Sequence, residues 1–440
     1  MSIERDPAGN LTLGGIRLSE IALESGTPAY VYDLDAMAGA ARAIGASFGG
    51  MTHLVAYALK ANTAGPVVRA LADAGCGADI VTEAELLVAL ACGISPDRIL
   101  FSGVAKCDAE LDRAIGCGSQ GIGAIQIESV EEAARVEARA IAAGRTARVS
   151  VRVNPGVDLK DATHAHIATG HDAAKFGVSI QDVQRAVQLV EASSHLRLVG
   201  MATHAGSQFL TTEPYIDAAR ILFGVVRGLR GAGYGRSLQF LDTGGGFGVD
   251  YAGSEVAPPQ PSDFVLATRE EQRRAALDDL ALYVEPGRSL VAPHGVLLAR
   301  VIQKKLAPNA RWLMIDAGMN DLLRPALYQA FHRIVAVDSE VDRAAPIDWR
   351  VVGPVCESSD DFGVHALPAE SSREVAILDV GAYGYTMASQ YNGRQLPVEV
   401  FVRAGRIVGR TRRPSVETWA HERVTAGEIA PLLRSPPTPV

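Results

Sequence analysis

Residues 54–92, LVAYALKANTAGPVVRALADAGCGADIVTEAELLVALAC, hold the rhythm that decides the fold. They open on an apolar, β-prone run, 54–60. A helical pattern follows at Pro66, Val67, Val68 and Leu71, with a proline where a first helical residue tolerates one and Gly75 as a stop. A second short run, 78–82, leads into 83–92, where apolar residues recur at i, i+3 and i+4. The alternation continues through runs at 99–103, 124–129, 149–155, 198–206, 237–245 and 280–288. Between them, 130–143 has helical spacing, and Ser179 with Asp182 resembles an N-cap start. Eight strand–helix units in about 250 residues form the pattern of a (β/α)8 TIM barrel. A doubly wound open sheet alternates in the same way, but the count of eight favours the barrel.

Beyond Arg288 the pattern changes. Runs at 297–304, 312–317, 333–338, 349–355, 375–381 and 398–404 read as strands with few helices between them. The expected architecture is therefore α/β: a barrel over 30–288, and a mainly β, Greek-key-like domain from 1–29 plus 289–434. The first part of that domain contains a short strand at 10–17. Residues 435–440 read as a flexible tail, and 252–263, rich in proline and small residues, as a surface loop.

Composition narrows the class. The chain has 440 residues, 48% hydrophobic and 21% charged, which excludes disorder, collagen-like repeats and a coiled-coil rod. The net charge of −8 does not favour nucleic acid, which needs clustered positive charge. Five cysteines, without a CxxC pair, point to a reducing compartment rather than to disulfides or zinc. The first ten residues lack the apolar segment of a secretory signal, and no uncharged apolar run approaches the ~20 residues that span a bilayer. A cytoplasmic protein without a membrane partner is expected.

A barrel carries its active site at the C-terminal strand ends. Strand one ends in Tyr57-Ala58-Leu59-Lys60-Ala61-Asn62, strand six in Thr203-His204-Ala205-Gly206-Ser207-Gln208, strand seven in Asp242-Thr243-Gly244-Gly245-Gly246-Phe247-Gly248, and strand eight in Glu285-Pro286-Gly287-Arg288. A lysine closing a buried strand either reaches solvent or has a chemical role, such as a Schiff base. Gly244, Gly245 and Gly246 can present backbone N–H groups to a phosphate, with a hydroxyl from Ser207. Read singly, each feature has a plain alternative: a snorkelling lysine, a core histidine, a tight turn, a solvated carboxylate. Together Lys60, His204, the glycines and Glu285 are the equipment for pyridoxal 5'-phosphate, meeting its aldehyde, ring face, phosphate and pyridine nitrogen.

These motifs resemble the fold type III pyridoxal-phosphate decarboxylases, with an alanine-racemase-like barrel, and among them the diaminopimelate decarboxylase family. The resemblance runs from about Gly26 to about Arg403. It also rests on Arg152-Val153-Asn154-Pro155-Gly156-Val157, Ile167-Ala168-Thr169-Gly170, Lys175-Phe176-Gly177, Arg324-Pro325-Ala326-Leu327-Tyr328, Gly353-Pro354-Val355-Cys356-Glu357-Ser358-Ser359-Asp360 and Gly381-Ala382-Tyr383-Gly384. The resemblance implies a carboxy-lyase acting on meso-2,6-diaminopimelate, the last step of lysine biosynthesis. It implies that Lys60 carries the cofactor aldehyde, that His204 stacks on the ring, and that Ser207 and Gly244–Gly246 hold the phosphate. Glu285 would face the ring nitrogen, with Gly287, Arg288 and Tyr383 also at the cofactor. A carboxylate there keeps that nitrogen protonated, whereas alanine racemase meets it with an arginine, so decarboxylation is preferred to racemisation.

The substrate would be a small amino acid. The resemblance implies that Arg288, Arg324 and Tyr328 hold its distal carboxylate, Glu357 its distal ammonium, and Tyr383 touches both cofactor and substrate. Cys356 would donate the proton to the carbon that loses CO2. Cys356 and Glu357 would enter the partner's site, making a homodimer with shared active sites. Departures from the family pattern are Ala202, Thr82-Glu83-Ala84 and Ile125-Gln126-Ile127-Glu128. His164 and His166 form an incomplete ligand set, so no metal is expected. The alternatives are a related decarboxylase for ornithine, arginine or a carrier-bound amino acid, and a non-catalytic carrier of the cofactor.

Overall fold

The structure is a computed structural model that describes residues 3–156, 174–254, 257–338, 345–369 and 373–425. Val157, His164, His166, the motif 167–170 and the tail 435–440 lie outside the described residues. The chain divides into two compact units. One holds Asp33–His294 with Gly381–Thr386; the other holds Ile3–Tyr32, Gly295–Val380 and the residues from Met387 on.

In the first unit eight parallel strands close into a barrel. They are His53–Ala58, Gly77–Ile80, Ile99–Phe101, Ala124–Ile127, Ala147–Val153, Leu196–Thr203, Phe240–Asp242 and Ala281–Val284, the eighth pairing with the first at Leu282 and His53. Each expected run overlaps one of them, and four runs start one or two residues after the strand does. The runs overshoot at their C-terminal ends, where apolar and glycine residues continue into loops. Helices Gly65–Asp73, Glu83–Ala91, Asp108–Gly116, Val130–Ala142, Val183–Ala192, Glu213–Gly231 and Pro261–Arg274 follow successive strands. Thr82 and Ser129 start two of them by accepting the N–H groups of Glu85 and Glu132 at 3.2 and 3.1 Å. The expected loop 252–263 is shorter than the sequence suggests. Pro261 is a helix-opening proline, and Gln260 with Asp263 forms a capping box.

The beginnings of the strands fill the barrel floor with Leu54, Ala56, Leu100, Ala124, Val199, Phe240 and Ala281. Small residues face large ones: a Cβ on Gly200 would lie 2.2 Å from the Phe240 ring, which stacks on Tyr283 at 4.2 Å. With the floor filled by these apolar side chains, the polar residues of the strands collect toward the opposite end, where the site lies.

The second unit is mainly β. Ile3–Arg5, Leu11–Leu13 and Ile16–Arg17 form a small antiparallel sheet; the expected strand 10–17 turns back on itself at Gly14 and Gly15, both at positive φ. Helix Leu18–Ser25 buries Leu18, Ile21 and Ala22, an i, i+3, i+4 stripe. Where a Greek-key-like barrel is expected, nine strands form one branched sheet with ends at Asp361–Pro368 and Arg406–Arg410. Its spine is the 13-residue strand Gly295–Ala307. The buried first half pairs with Ala29–Asp33 and Glu374–Ile377. From Val301 on, with an irregularity before Gln303, the strand pairs with Ala310–Ile315. No helix among the described residues is long and apolar enough to cross a membrane.

Candidate active site

Lys60 sits in the 3-10 turn Leu59–Ala61 that ends the first barrel strand. The turn is held on both sides. Tyr57 donates its hydroxyl to the Asn62 carbonyl at 2.8 Å, and the Asn62 amide donates to the Gly381 carbonyl at 3.0 Å. The Tyr383 N–H reaches the Ala61 carbonyl at 2.8 Å. Lys60 Nζ donates to Asp79 Oδ2 at 2.9 Å; the lysine side chain is 38% exposed and Asp79 is buried. Burial alone would lower the ammonium's proton affinity. Asp79, Tyr383 and Glu285 outweigh it and hold Lys60 above its ordinary value. Asp79 is absent from the sequence-based set. Its signal is a carboxylate in the otherwise apolar strand Gly77-Ala78-Asp79-Ile80.

At the end of strand eight, Glu285 is buried beside Asp242 from strand seven. Gln126 Nε2 donates to Glu285 Oε1 at 2.8 Å and to Asp242 Oδ2 at 3.2 Å, and Ser102 Oγ lies 3.5 Å from Glu285 Oε1. Burial, then the Asp242 and Asp79 carboxylates, push Glu285 well above the usual carboxylate range. Burial also pushes Asp242 up to about 6, against hydrogen bonds from Glu285 and the Gly244 N–H. Burial thus raises the proton affinity of both carboxyls, which titrate as one coupled pair.

The glycine loop is shaped by packing. Gly244 and Gly246 have φ of 72° and 104°. A Cβ on Gly245 would stand 2.0 Å from the Glu285 carbonyl oxygen, and one on Gly246 would stand 2.3 Å from the Gly206 carbonyl oxygen. Two of the expected phosphate donors already have partners: the Gly244 N–H donates to Asp242 Oδ1 at 2.9 Å and the Gly245 N–H to His204 Nδ1 at 3.1 Å. The N–H groups of Gly246, Phe247 and Gly287 make no such bond among the described residues, so the open donors here are Gly246 of the expected set together with Phe247 and Gly287. His204 accepts through Nδ1, and burial, Arg152 and Lys60 hold it well below the usual histidine range, so its ring is neutral. Arg152 fixes this region: it pairs with Glu128 at 2.9 Å and donates to the His204 carbonyl at 3.4 Å.

Arg288 opens a short helix, Arg288–Val291, and donates to Ser207 Oγ at 3.0 Å and to the Tyr251 hydroxyl at 2.8 Å. Its guanidinium lies 4.9 Å from the Tyr383 ring centre. Tyr383 has φ of 55°, a backbone strain typical of functional positions. The first unit thus gathers Lys60, His204, Ser207, the glycines, Glu285, Gly287, Arg288 and Tyr383. The arrangement fits pyridoxal phosphate: a lysine ammonium, a flat neutral imidazole, a buried carboxyl and open N–H donors surround one barrel mouth.

The second unit carries Arg324, Tyr328, Cys356 and Glu357. Arg324–Tyr328 is a single helical turn, closed by Gln329 at φ 53°. Arg324 is buried and donates to His332 Nε2 at 2.7 Å; His332 Nδ1 donates to the Leu378 carbonyl at 2.9 Å, which fixes that ring as neutral. Cys356 and Glu357 are exposed, on a loop pinned by buried Asp360, which accepts the N–H groups of Val355 and Met319, both at 2.6 Å. The Cys356 N–H donates to Asn392 Oδ1 at 2.8 Å, and Tyr391 donates its hydroxyl to Glu357 at 2.5 Å. Among the described residues no group of three or more His, Cys, Asp or Glu is placed to hold a metal ion.

Comparisons with known proteins agree with this chemistry. Residues 35–292 match the family described as "Pyridoxal-dependent decarboxylase, pyridoxal binding domain". The chain is 40% identical to the diaminopimelate decarboxylase of Pseudomonas aeruginosa, over 88% of this chain and 90% of that one. It is 39% identical to that of Zymomonas mobilis, over 93% and 95%. Among solved structures, the Helicobacter pylori diaminopimelate decarboxylase complexed with L-lysine matches with a TM-score of 0.84 and 36% identity, covering 92% of this chain and 98% of that one. The M. jannaschii enzyme, also with L-lysine, matches with 0.88 and 31%, covering 96% and 97%. The chain belongs to the diaminopimelate decarboxylase family of pyridoxal-phosphate-dependent carboxy-lyases.

Proposed function

We propose that this chain converts meso-2,6-diaminopimelate to L-lysine and CO2 at the mouth of its barrel, with the residue roles that follow. The observation that carries the reading is the buried Glu285 and Asp242 carboxyl pair, bridged by Gln126, in the same barrel mouth as Lys60, because a carboxylate facing a ring nitrogen favours that nitrogen's protonated, cationic form. Bound pyridoxal phosphate supplies the electron sink for the bond that breaks. Lys60 holds its aldehyde, with Asp79 steadying the ammonium until the amine is needed. His204 covers the ring face. Ser207 and the N–H groups of Gly246, Phe247 and Gly287 meet the phosphate, and Arg288 steadies the Ser207 hydroxyl.

Arg324, buried and held by a neutral histidine, is suited to the distal carboxylate. Tyr328 lies on the same turn, and Arg288 and Tyr383 complete the substrate contacts. Cys356 gives the proton to the carbon that loses CO2, and Glu357 meets the distal ammonium. Both are exposed on a loop with a rigid base, which supports their entering the site of a second copy in a homodimer. Five free thiols suit a cytoplasmic location. Incubating purified protein and pyridoxal phosphate with diaminopimelate, ornithine and arginine tests the substrate: lysine from diaminopimelate with little turnover of the others is expected. Diamine formation from ornithine or arginine with no lysine from diaminopimelate would overturn it.

A further inference from the structure

Gln126 departs from the family pattern at its position, and its amide stands between two buried carboxylates. Its Nε2 has two hydrogens, and both are used: one toward Glu285 Oε1 at 2.8 Å, the other toward Asp242 Oδ2 at 3.2 Å. The Gln126 main chain is fixed as well, since its carbonyl accepts from Lys106 Nζ at 2.8 Å. That ammonium is fully buried and also donates to the Gly103 carbonyl and to Glu132. From Asp242 the chain of bonds continues: Oδ1 accepts the Gly244 N–H at 2.9 Å, and the Glu285 N–H donates to the Gly244 carbonyl at 2.8 Å. Gln126, Glu285, Gly244 and Asp242 thus form a closed ring of hydrogen bonds.

We propose that Gln126 is a positioning residue whose amide locks Glu285 to Asp242 and so ties the ring-nitrogen end of the cofactor site to the glycine loop. This inference rests on the cofactor reading above. Glu285 and Asp242 are 7% and 0% exposed, and Gln126 is the residue whose side chain donates to an oxygen of each, fixing their relative placement. Other groups facing the pair are Asp79 and Lys60 toward Glu285, Asp79, Arg152 and Tyr283 toward Asp242, Tyr215 toward both, and the Ser102 hydroxyl. None of them bridges both carboxyls.

The test uses the full-length holoprotein. Gln126→Met keeps the side-chain length and removes both donors. Equilibrium dialysis against pyridoxal phosphate should show about tenfold weaker binding, and the pH profile of the bound cofactor's visible absorbance should shift, with KM for diaminopimelate unchanged. Gln126→Glu has one donor, and only when protonated, so its cofactor affinity should recover as the pH is lowered while that of Gln126→Met does not. Combining Gln126→Met with Asp242→Asn should give a non-additive loss, because both act on one ring of bonds. Wild-type affinity and absorbance profile in Gln126→Met, or simple additivity with Asp242→Asn, would overturn the proposal. If Gln126→Met does not fold, the pH dependence of Gln126→Glu carries the test: recovery at low pH supports it and a flat loss overturns it. A wild-type protein that takes up no pyridoxal phosphate would overturn the cofactor reading itself.

Discussion

Gly245→Ala puts a methyl group 2.0 Å from the Glu285 carbonyl oxygen and 2.7 Å from its carbon. Both obstacles are backbone, so no side chain can rotate away. Ordinary contact begins near 3.4 Å, so the glycine loop or the end of strand eight must retreat by about 1.4 Å, the shortfall between the two distances. Overpacking of this kind costs about 1–3 kcal/mol of stability. The functional loss should be larger, because the displaced segments carry Glu285 and the proposed phosphate donors, and a misplacement of about 1 Å can lower turnover about 100-fold. The control lies in the same barrel. Gly224 is exposed on helix Glu213–Gly231, and a Cβ there meets nothing within 4 Å. Gly224→Ala should raise stability by about 0.4–1 kcal/mol and leave activity unchanged. Urea midpoints at matched cofactor concentration and kcat/KM on diaminopimelate check both. A Gly245→Ala protein with wild-type stability and turnover would refute the packing argument for the loop.

Four further outcomes are expected. Arg324→Met should leave cofactor absorbance intact while lowering kcat/KM for diaminopimelate by at least about thirtyfold, since a charged partner is lost from a buried site; equal activity would remove Arg324 from the substrate site. Mixing Lys60→Ala with Cys356→Ala, each inactive alone, should restore up to about a quarter of wild-type turnover if copies share sites; no recovery after subunit exchange argues against sharing. Burial raises Glu399, in the second unit, to about 7 against an ordinary 4.5, so its contribution to stability is present below pH 4.5 and is lost as the pH rises through 7. Glu399→Gln should therefore raise Tm relative to wild type at pH 8, by up to about 3 kcal/mol of stability, and gain little at pH 4.5; a pH-independent effect would contradict the assignment. Asp79→Asn should lower the pH at which Lys60 becomes a free amine, shown by cofactor capture by the apoprotein reaching half its maximal rate at lower pH.

The barrel was legible because its eight strands are buried on both faces and read as short apolar runs between helical periods. Strand ends were not, because the apolar and glycine residues after Val284 or Asp242 continue the pattern while the backbone has already turned. The helix at Pro261 was hidden by the prolines that open it. At the site, Lys60, His204 and Glu285 stood out because unusual residues end strands. Asp79 and Gln126 lie inside strands and Asp242 ends one beside the more conspicuous glycines, so their roles depend on which neighbours the barrel brings alongside. The glycine triplet was visible as a phosphate cradle, but the use of two of its N–H groups by His204 and Asp242 depends on tertiary contacts.

The central claim is that Lys60 at the barrel mouth holds the cofactor, and one measurement addresses it directly. The holoprotein is reduced with borohydride, digested, and its phosphopyridoxyl-bearing peptide sequenced by mass spectrometry. The label is expected on Lys60, in the peptide that also contains Tyr57 and Asn62. Label on another lysine, or none after full loading, would contradict the account.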